Sequence, residues 1–298
     1  MRSAVCSAMV AVAERPELVF LTGDLGFMAL EPLRDSLGRR FINAGVAEQN
    51  MIGVASGLAR AGWRPWAYSI APFIYARPYE QLRNDVAMHA LPVAMVGNGG
   101  GYGYGVMGAT HHALEDYGAV LALGGIRVVV PAFDTDVAGA VASILGQSRP
   151  AYLRLGLDEA PKDYERPPLM PWRRLVEGDA ATILVCGPIA GGLLGAIRGL
   201  PPERRPSLWL VSELPFDGMP EAFLADVAAS PHLVVVEEHV ATGGVGERLA
   251  RELLLRGVVP RRFTHRCALG YPSGRYGSQA FHRRECGLDA ASILAALG

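Results

Sequence analysis

Hydrophobic residues in the first half of the chain fall in short continuous runs, separated by longer amphipathic or alanine-rich stretches. The runs predict buried strands and the longer stretches predict helices. Strands are expected at 18–22, 92–97, 128–131 and 151–155, and helices at 47–61, 78–89 and 134–145. Continuous apolar strands that alternate with helix-length segments indicate a parallel sheet covered on both faces.

A composition break divides this pattern from a second one. Residues 158–171 (DEAPKDYERPPLMP) are polar and proline-rich, which indicates an extended linker. Beyond it, strands are expected at 182–186, 207–211 and 233–236, and helices at 190–199, 219–229 and 244–255. We therefore predict an α/β protein of two domains. A doubly wound, mostly parallel first domain covers 1–160, a linker covers 161–172, and a smaller α/β domain covers 173–298.

Composition and net charge argue against several classes of protein. The 298 residues are 50% hydrophobic and 19% charged, which excludes intrinsic disorder. A formal net charge of −1 gives no electrostatic footprint for nucleic acid or an anionic membrane. No apolar run approaches the ~18 residues of a membrane span, and the four cysteines form no CxxC pair. We expect a soluble, cytoplasmic protein with thiols rather than disulfides.

One acidic residue, Glu48, interrupts an otherwise small or apolar helix, NAGVAEQNMIGVASGL at 43–58. In one interpretation it is a helix-start carboxylate, favoured by the helix dipole and with its charge in solvent. In the other it is held partly out of water, where it can share a proton with a ring nitrogen. Its position leaves both interpretations open and slightly favours the first.

A glycine-rich stretch follows the predicted strand at 92–97. Residues 97–108 contain one GxGxxG match, which is weak evidence for a dinucleotide site because the flanking strand, helix and acidic residue do not fit. We predict a flexible active-site loop instead. It leads to His111 and His112, which are adjacent and so do not form a metal pair by themselves. One histidine is then structural and one solvent-facing, unless their place beside the loop serves substrate binding or proton transfer.

Three further features are candidates for chemistry. The aromatic residues of 66–79 are core packing, or one of them stacks on a flat heterocycle. Asp24 follows the first strand in a GDLG turn and could point to a ligand. Arg154 lies inside a strand, where an unpaired charge is unfavourable, so it should reach a carboxylate, a phosphate or the end of the sheet.

Together these segments resemble the C-terminal half of transketolase-type thiamine-diphosphate enzymes, and specifically the separate C-terminal subunit of two-component transketolases. The resemblance rests on 23–26, 43–58, 68–85, 105–116 and VVEEHVATGGVG at 235–246, and it spans nearly the whole chain. It implies a first domain that binds the aminopyrimidine of the cofactor. It also implies a smaller second domain, for regulation or assembly, with a mixed sheet.

The resemblance assigns roles to individual residues. Glu48 would hydrogen-bond the pyrimidine nitrogen and so activate the cofactor. Phe73 would stack on the pyrimidine, with Tyr75 and Tyr79 as its neighbours. The remaining assignments are Asp24 and Tyr79 close to the cofactor, His111 as a catalytic and substrate-facing residue, and His112 and Arg154 with the substrate. No residue of this chain is predicted to bind metal.

Departures from the family pattern imply a partner. The diphosphate and metal motif, a GDG with a downstream Asn, belongs to the other half of the family's proteins and is lacking here. Diphosphate needs a metal and oriented backbone donors. We therefore expect an N-terminal transketolase subunit with the diphosphate-binding domain, which holds Mg²⁺ or Ca²⁺. The expected assembly is α2β2, with this chain also self-associating as a dimer.

The expected reaction is transfer of a two-carbon ketol or acyl unit from a ketose or 2-oxo acid to an aldehyde, through a thiamine-diphosphate carbanion. Met107 stands where transketolases have an aspartate in G-x-D-G-x-T-H, which puts ordinary pentose-phosphate donors in doubt and suggests a specialised biosynthetic pathway. Two alternatives remain. One is the β subunit of a 2-oxo acid dehydrogenase E1 component, which the Thr110-His111-His112 pattern disfavours. The other is a catalytically silent assembly subunit, which Glu48 disfavours if it is buried.

Overall fold

The computed structural model describes residues 1–26 and 28–297. Its strands are β1 (Leu18–Thr22), β2 (Phe41–Asn43), β3 (Arg64–Ile70), β4 (Ala94–Asn98), β5 (Arg127–Val129), β6 (Ala151–Arg154), β7 (Trp172–Asp179), β8 (Thr182–Cys186), β9 (Pro206–Val211), β10 (Glu213–Leu214), β11 (Leu233–Glu237) and β12 (Phe263–Arg266). The helices are α1 (Arg2–Val10), α2 (Glu31–Leu37), α3 (Glu48–Arg60), α4 (Ala71–Tyr75), α5 (Tyr79–Gln81), α6 (Asp116–Ala122), α7 (Asp136–Leu145), α8 (Ile189–Arg198), α9 (Glu221–Ala229), α10 (Val245–Leu255), α11 (Gln279–Glu285) and α12 (Ala290–Ala295). A π-helix (Leu82–Ala87) continues α5, and short 3₁₀ turns lie at Gly38–Arg40, Gly105–Met107 and Pro202–Arg204.

The first sheet has the order β10-β5-β6-β4-β3-β1-β2, and all its pairs are parallel except β10 with β5. Strand β1 shows why it is covered on both faces. Val19 and Leu21 pack in one core cluster with α3 and α4, whereas Leu18 and Phe20 pack in another with α1, α2 and α7. Because successive side chains point to opposite faces, a continuous apolar strand requires helices on both sides. The predicted doubly wound arrangement is confirmed.

The second sheet has the order β12-β11-β8-β9-β7 and is mixed, since β7 runs antiparallel to β9. Helix α8 covers one face, while α9 and α10 cover the other and share a core cluster with the first half of the chain. Strand β10 leaves the second half to pair with β5, so the two halves are joined through a sheet as well as through a core. The two-domain α/β fold class is confirmed, and the boundaries at 160 and 173 stay a prediction. In the described ranges, none of the helices has the length and apolar character to cross a membrane.

The candidate site is positioned by four neighbouring strands in the order β4-β3-β1-β2. They are parallel, so their carboxyl ends meet at one edge of the sheet, which is where α/β folds bind ligands. The segments that leave this edge carry Asp24, Glu48, Phe73 and the glycine-rich loop. Residues that are distant in sequence are thereby brought together.

Candidate active site

Glu48 is buried at the start of α3, although the residues on either side of it are exposed. Its exposure is 4%, against 71% for Val46. Glu48 Oε1 accepts a hydrogen bond from Arg77 at 2.7 Å and a weaker one from the Ser69 hydroxyl at 3.5 Å. The carboxylate also lines a surface depression of ≈ 580 Å³. The interpretation of Glu48 as an acid with its charge in solvent is therefore wrong, because Arg77 and the end of β3 enclose it.

Phe73 and His111 are connected to Glu48 through Arg77. The Arg77 guanidinium carbon lies 3.7 Å from the centroid of the Phe73 ring. On the loop side, the Phe73 and His111 ring centroids are 5.2 Å apart in an edge-on arrangement. His111 Nδ1 lies 2.9 Å from the Thr110 hydroxyl, so this ring has a polar partner of its own. An acid, an aromatic face and a partly exposed histidine thus form one continuous set of contacts.

Asp24 borders the same group from the end of β1. It has a positive φ of 60°, and its carboxylate accepts a hydrogen bond from the Asn43 side chain at 2.8 Å. The preceding Gly23 lies against the acid, since a Cβ at Gly23 would be 3.9 Å from Glu48 Oε1. The Asp24 carboxylate itself is exposed. The structure therefore places this turn next to Glu48, with Asn43 as its anchor.

Tyr79 has a different environment. Its hydroxyl donates to the Ala119 carbonyl of α6 at 3.1 Å, which ties α5 to α6. Its neighbour Tyr75 is buried, and desolvation raises the pKa of the Tyr75 phenol. Both tyrosines thus have a packing role in the described contacts, and the cofactor role of Tyr79 stays a prediction.

The glycine-rich loop is fixed rather than flexible. Tyr102 is fully buried, its backbone N–H donates to Glu238 Oε1 at 2.7 Å, and its hydroxyl donates to the Gly270 carbonyl at 2.7 Å. A Cβ at Gly101 would lie 2.7 Å from the Glu238 side chain. The predicted flexibility is wrong because these glycines permit close approach of the second domain.

His112 is held inside this loop by both ring nitrogens. Nε2 lies 2.9 Å from the Gly105 carbonyl, which only accepts, so Nε2 carries the proton. Nδ1 accepts from the Tyr271 hydroxyl at 2.9 Å. Desolvation lowers the pKa of His112, which favours this neutral form. A direct substrate contact by His112 stays a prediction, and the contacts shown here position the loop that carries His111.

Arg154 pairs with a buried carboxylate, which is one of the partners predicted from its place inside a strand. Its Nε donates to Asp116 at 2.7 Å, and its other end donates to the carbonyls of Ala113 and Glu238 at 2.9 and 3.0 Å. Asp116 also accepts from the Tyr152 hydroxyl at 2.8 Å. Arg154 and Asp116 are both buried where the two domains meet. These contacts are structural, and substrate binding by Arg154 stays a prediction.

Sequence reasoning did not single out Arg77, Asn43 or Ser69. Arg77 lies in the turn between α4 and α5, so no helical spacing connects it to Phe73. Asn43 is the last residue of β2 and Ser69 is the last but one of β3, so only the strand order brings them to Glu48 and Asp24.

Comparison with known proteins identifies the family of this chain. Residues 1–161 match the family described as the transketolase pyrimidine binding domain. The chain is 29% identical over 256 residues to one subunit of the apulose-4-phosphate transketolase of Phocaeicola vulgatus, which covers 83% of the chain and 80% of the relative. It is 32% identical over 265 residues to the 6-deoxy-6-sulfo-D-fructose transketolase subunit SqwH of Clostridium sp., covering 86% and 80%.

A solved structure extends the likeness to both domains. It is described as a split gene transketolase, inactive beta4 tetramer, and it superimposes with a TM-score of 0.83 at 27% identity, over 99% of this chain and 96% of that one. The chain therefore belongs to the transketolase family, and it combines that family's pyrimidine-binding domain with its C-terminal domain.

Proposed function

We propose that this chain is the C-terminal subunit of a two-component transketolase. Its partner would be an N-terminal subunit that carries the diphosphate-binding domain and holds Mg²⁺ or Ca²⁺, in an α2β2 assembly. Two relatives whose names call them subunits match this chain over 80% of their own length, which supports a division of the enzyme into two chains. Val46, which lines the depression at Glu48, and Val54 on α3 are exposed apolar side chains that such a partner could cover.

The residues at the sheet edge suit the aminopyrimidine end of thiamine diphosphate. A flat heterocycle needs an aromatic face and, at its ring nitrogen, a carboxyl group. One planar group, the guanidinium of Arg77, stacks on Phe73 and pairs with Glu48 at the same time. The space between these two residues therefore fits another planar group. This buried acid beside an aromatic face is the observation that carries the proposal. Thiamine diphosphate, when bound, supplies a carbon nucleophile and an electron sink for cleavage next to a carbonyl.

Three residues of this chain would then act on the cofactor and the substrate. Glu48 would share a proton between its buried carboxyl group and the pyrimidine nitrogen. Phe73 would fix the plane of the ring. His111, in edge contact with Phe73 and partly exposed, is placed to bind or protonate a substrate oxygen.

We further propose that the donor is a ketose rather than a 2-oxo acid. Two relatives are named for reactions of different ketoses, apulose 4-phosphate and 6-deoxy-6-sulfofructose. Met107, on the loop before His111, is 55% exposed and offers no carboxylate to a donor hydroxyl. The donor should therefore lack the hydroxyl contact that ordinary pentose phosphates make.

The decisive experiment uses the assembly co-purified with its partner. Glu48→Gln should reduce turnover about 10²–10⁴-fold, the contribution of a positioned acid or base, with the fold unchanged by circular dichroism. Glu221→Gln, at the exposed start of α9, is the matched control and should retain full activity. Wild-type activity in Glu48→Gln would refute the mechanism. A donor screen of ketose phosphates against pyruvate, with lipoyl acceptors included, separates the transketolase from the E1 alternative.

A further inference from the structure

Arg77 occupies a position that the proposed cofactor ring also requires. Its Nη1 atom donates to Glu48 Oε1 at 2.7 Å, and its guanidinium carbon lies 3.7 Å from the Phe73 ring centroid. The face of Phe73 that adjoins Glu48 is therefore covered by a side chain of the same subunit. This side chain is itself 43% exposed, whereas the Glu48 side chain is 3% exposed.

A guanidinium and an aminopyrimidine make similar demands on these two residues. Both are planar and both stack through their faces on an aromatic ring. Both also hydrogen-bond in their plane to the Glu48 carboxyl group, the guanidinium as a donor and the ring nitrogen through a shared proton. They cannot occupy the same face of Phe73 while each bonds the same carboxylate oxygen. One must leave when the other arrives.

We propose that Arg77 is a placeholder for the aminopyrimidine ring, and that cofactor binding displaces it into solvent. This inference rests on the proposed function. Before the cofactor binds, Arg77 compensates a carboxylate whose other described donor, the Ser69 hydroxyl, lies 3.5 Å away. Unpaired, that buried charge would be strongly unfavourable. The ring then replaces Arg77 on the Phe73 face, and the proton shared with the ring nitrogen neutralises the Glu48 carboxylate.

The exposure of Arg77 makes this exchange feasible. The guanidinium is open to water on its outer side, so it can move into solvent without disturbing the fold once the ring takes over its contacts with Glu48 and Phe73. The contacts still lower the population of the binding-competent state, and a ligand's apparent affinity falls in proportion to that population. Arg77 therefore opposes cofactor binding, because it competes with the ring for Glu48 and Phe73. Before the cofactor binds, it also compensates the Glu48 charge.

The test measures affinity rather than turnover. Arg77→Met keeps the aliphatic stem and removes the guanidinium, so the assembled enzyme should bind thiamine diphosphate about 3–10-fold more tightly by calorimetry. Arg77→Gln guards against an effect of the Met side chain and should change the affinity in the same direction. Arg60→Met, at the exposed end of helix α3, which begins at Glu48, is the control and should leave the affinity unchanged.

The outcomes separate this inference from the function on which it rests. If the wild-type assembly binds thiamine diphosphate and Glu48→Ala weakens that binding, the proposed function stands. Unchanged or weaker binding in both Arg77 variants, with assembly intact by size-exclusion chromatography, would then overturn the placeholder role alone. If the wild-type assembly does not bind thiamine diphosphate, both proposals fail.

Discussion

Two buried glutamates of this protein, Glu48 and Glu237, have opposite surroundings. Glu237 ends β11 at 0% exposure and accepts hydrogen bonds from the backbone N–H groups of Val245 and Gly246, both at 2.8 Å. It also accepts from His265 at 2.6 Å and from the Tyr117 hydroxyl. Among residues 1–26 and 28–297, Glu48 has one ion pair, with a half-exposed arginine, and one long hydrogen bond.

The difference separates a carboxylate that holds the fold from one that is available to a ligand. Burial alone would raise the pKa of Glu237, but its hydrogen bonds from His265, Gly246 and Tyr117 outweigh burial and hold that pKa below its ordinary value. The Tyr117 bond crosses from the first domain to the second, so Glu237 helps to join them. Glu48 has unused hydrogen-bonding capacity beside an open depression, which is the arrangement that binding requires.

Loss of a buried partner at the domain junction should have the largest effect. Arg154→Ala leaves Asp116 buried and uncompensated, which should destabilise the protein by about 3–5 kcal/mol in urea unfolding. Exposed Arg149→Ala is the control and should change stability little. If instead Arg154→Ala is stable and raises the KM of an anionic substrate while cofactor affinity is unchanged, Arg154 binds substrate and the structural interpretation is wrong.

A matched pair of isosteric substitutions tests the comparison directly. Glu237→Gln places an NH₂ group among four donors and should lower the free energy of unfolding by about 2–4 kcal/mol, because donors are left unpaired. Glu48→Gln can still accept from Arg77 through its amide oxygen and should lower it by less than about 1 kcal/mol. Equal losses in the two variants would show that Glu48 is as structural as Glu237.

The fold was predictable where burial is continuous and local. Strands β1 and β8 lie at the residues expected for them, because each is apolar along its whole length. Strand β12 (FTHR) was not predicted, since it is a partly exposed edge strand whose polar residues resemble a loop. Strand β10 has two residues and exists only through its pairing with β5, which no local pattern reveals.

The candidate site was predictable only in its individual residues. Glu48, Phe73 and His111 came from motifs, and the structure connects them through contacts. Arg77 was overlooked because its contact with Glu48 forms only where the segments that follow β2 and β3 meet at the same edge of the sheet. The flexibility predicted for the glycine-rich loop was wrong for a related reason. Gly100 and Gly101 lack side chains because the side chains of Arg154 and Glu238 occupy that space.

Acid should weaken the domain junction. Desolvation lowers the pKa of His239, which stacks on Tyr117 at 3.8 Å, and that of His112. A lowered pKa in the folded state means that the unfolded chain takes up protons first. Stability should therefore be full above the ordinary value of 6.5 and decline as the pH falls through the folded pKa values.

Urea unfolding at pH 7.5 and 5.5 measures this loss. His239→Gln should reduce the difference between the two pH values, while exposed His89→Gln should leave it as in the wild type. A His239→Gln protein with the full wild-type pH dependence would show that protons are taken up elsewhere.

The smallest expected effect concerns the contact between the second domain and the loop. Tyr271→Phe removes one hydrogen bond to His112 Nδ1 and should lower stability by about 1 kcal/mol. His112 would still donate to the Gly105 carbonyl, so the loop should loosen without unfolding. If the second domain positions His111 through this contact, the KM of the acceptor should rise severalfold while cofactor affinity stays constant. Tyr276→Phe, on the more exposed neighbouring ring, is the control. An acceptor KM that is unchanged in Tyr271→Phe would mean that the loop keeps its shape without this contact from the second domain. The domain junction would then serve stability alone, and ligand binding would depend on the sheet edge at Glu48.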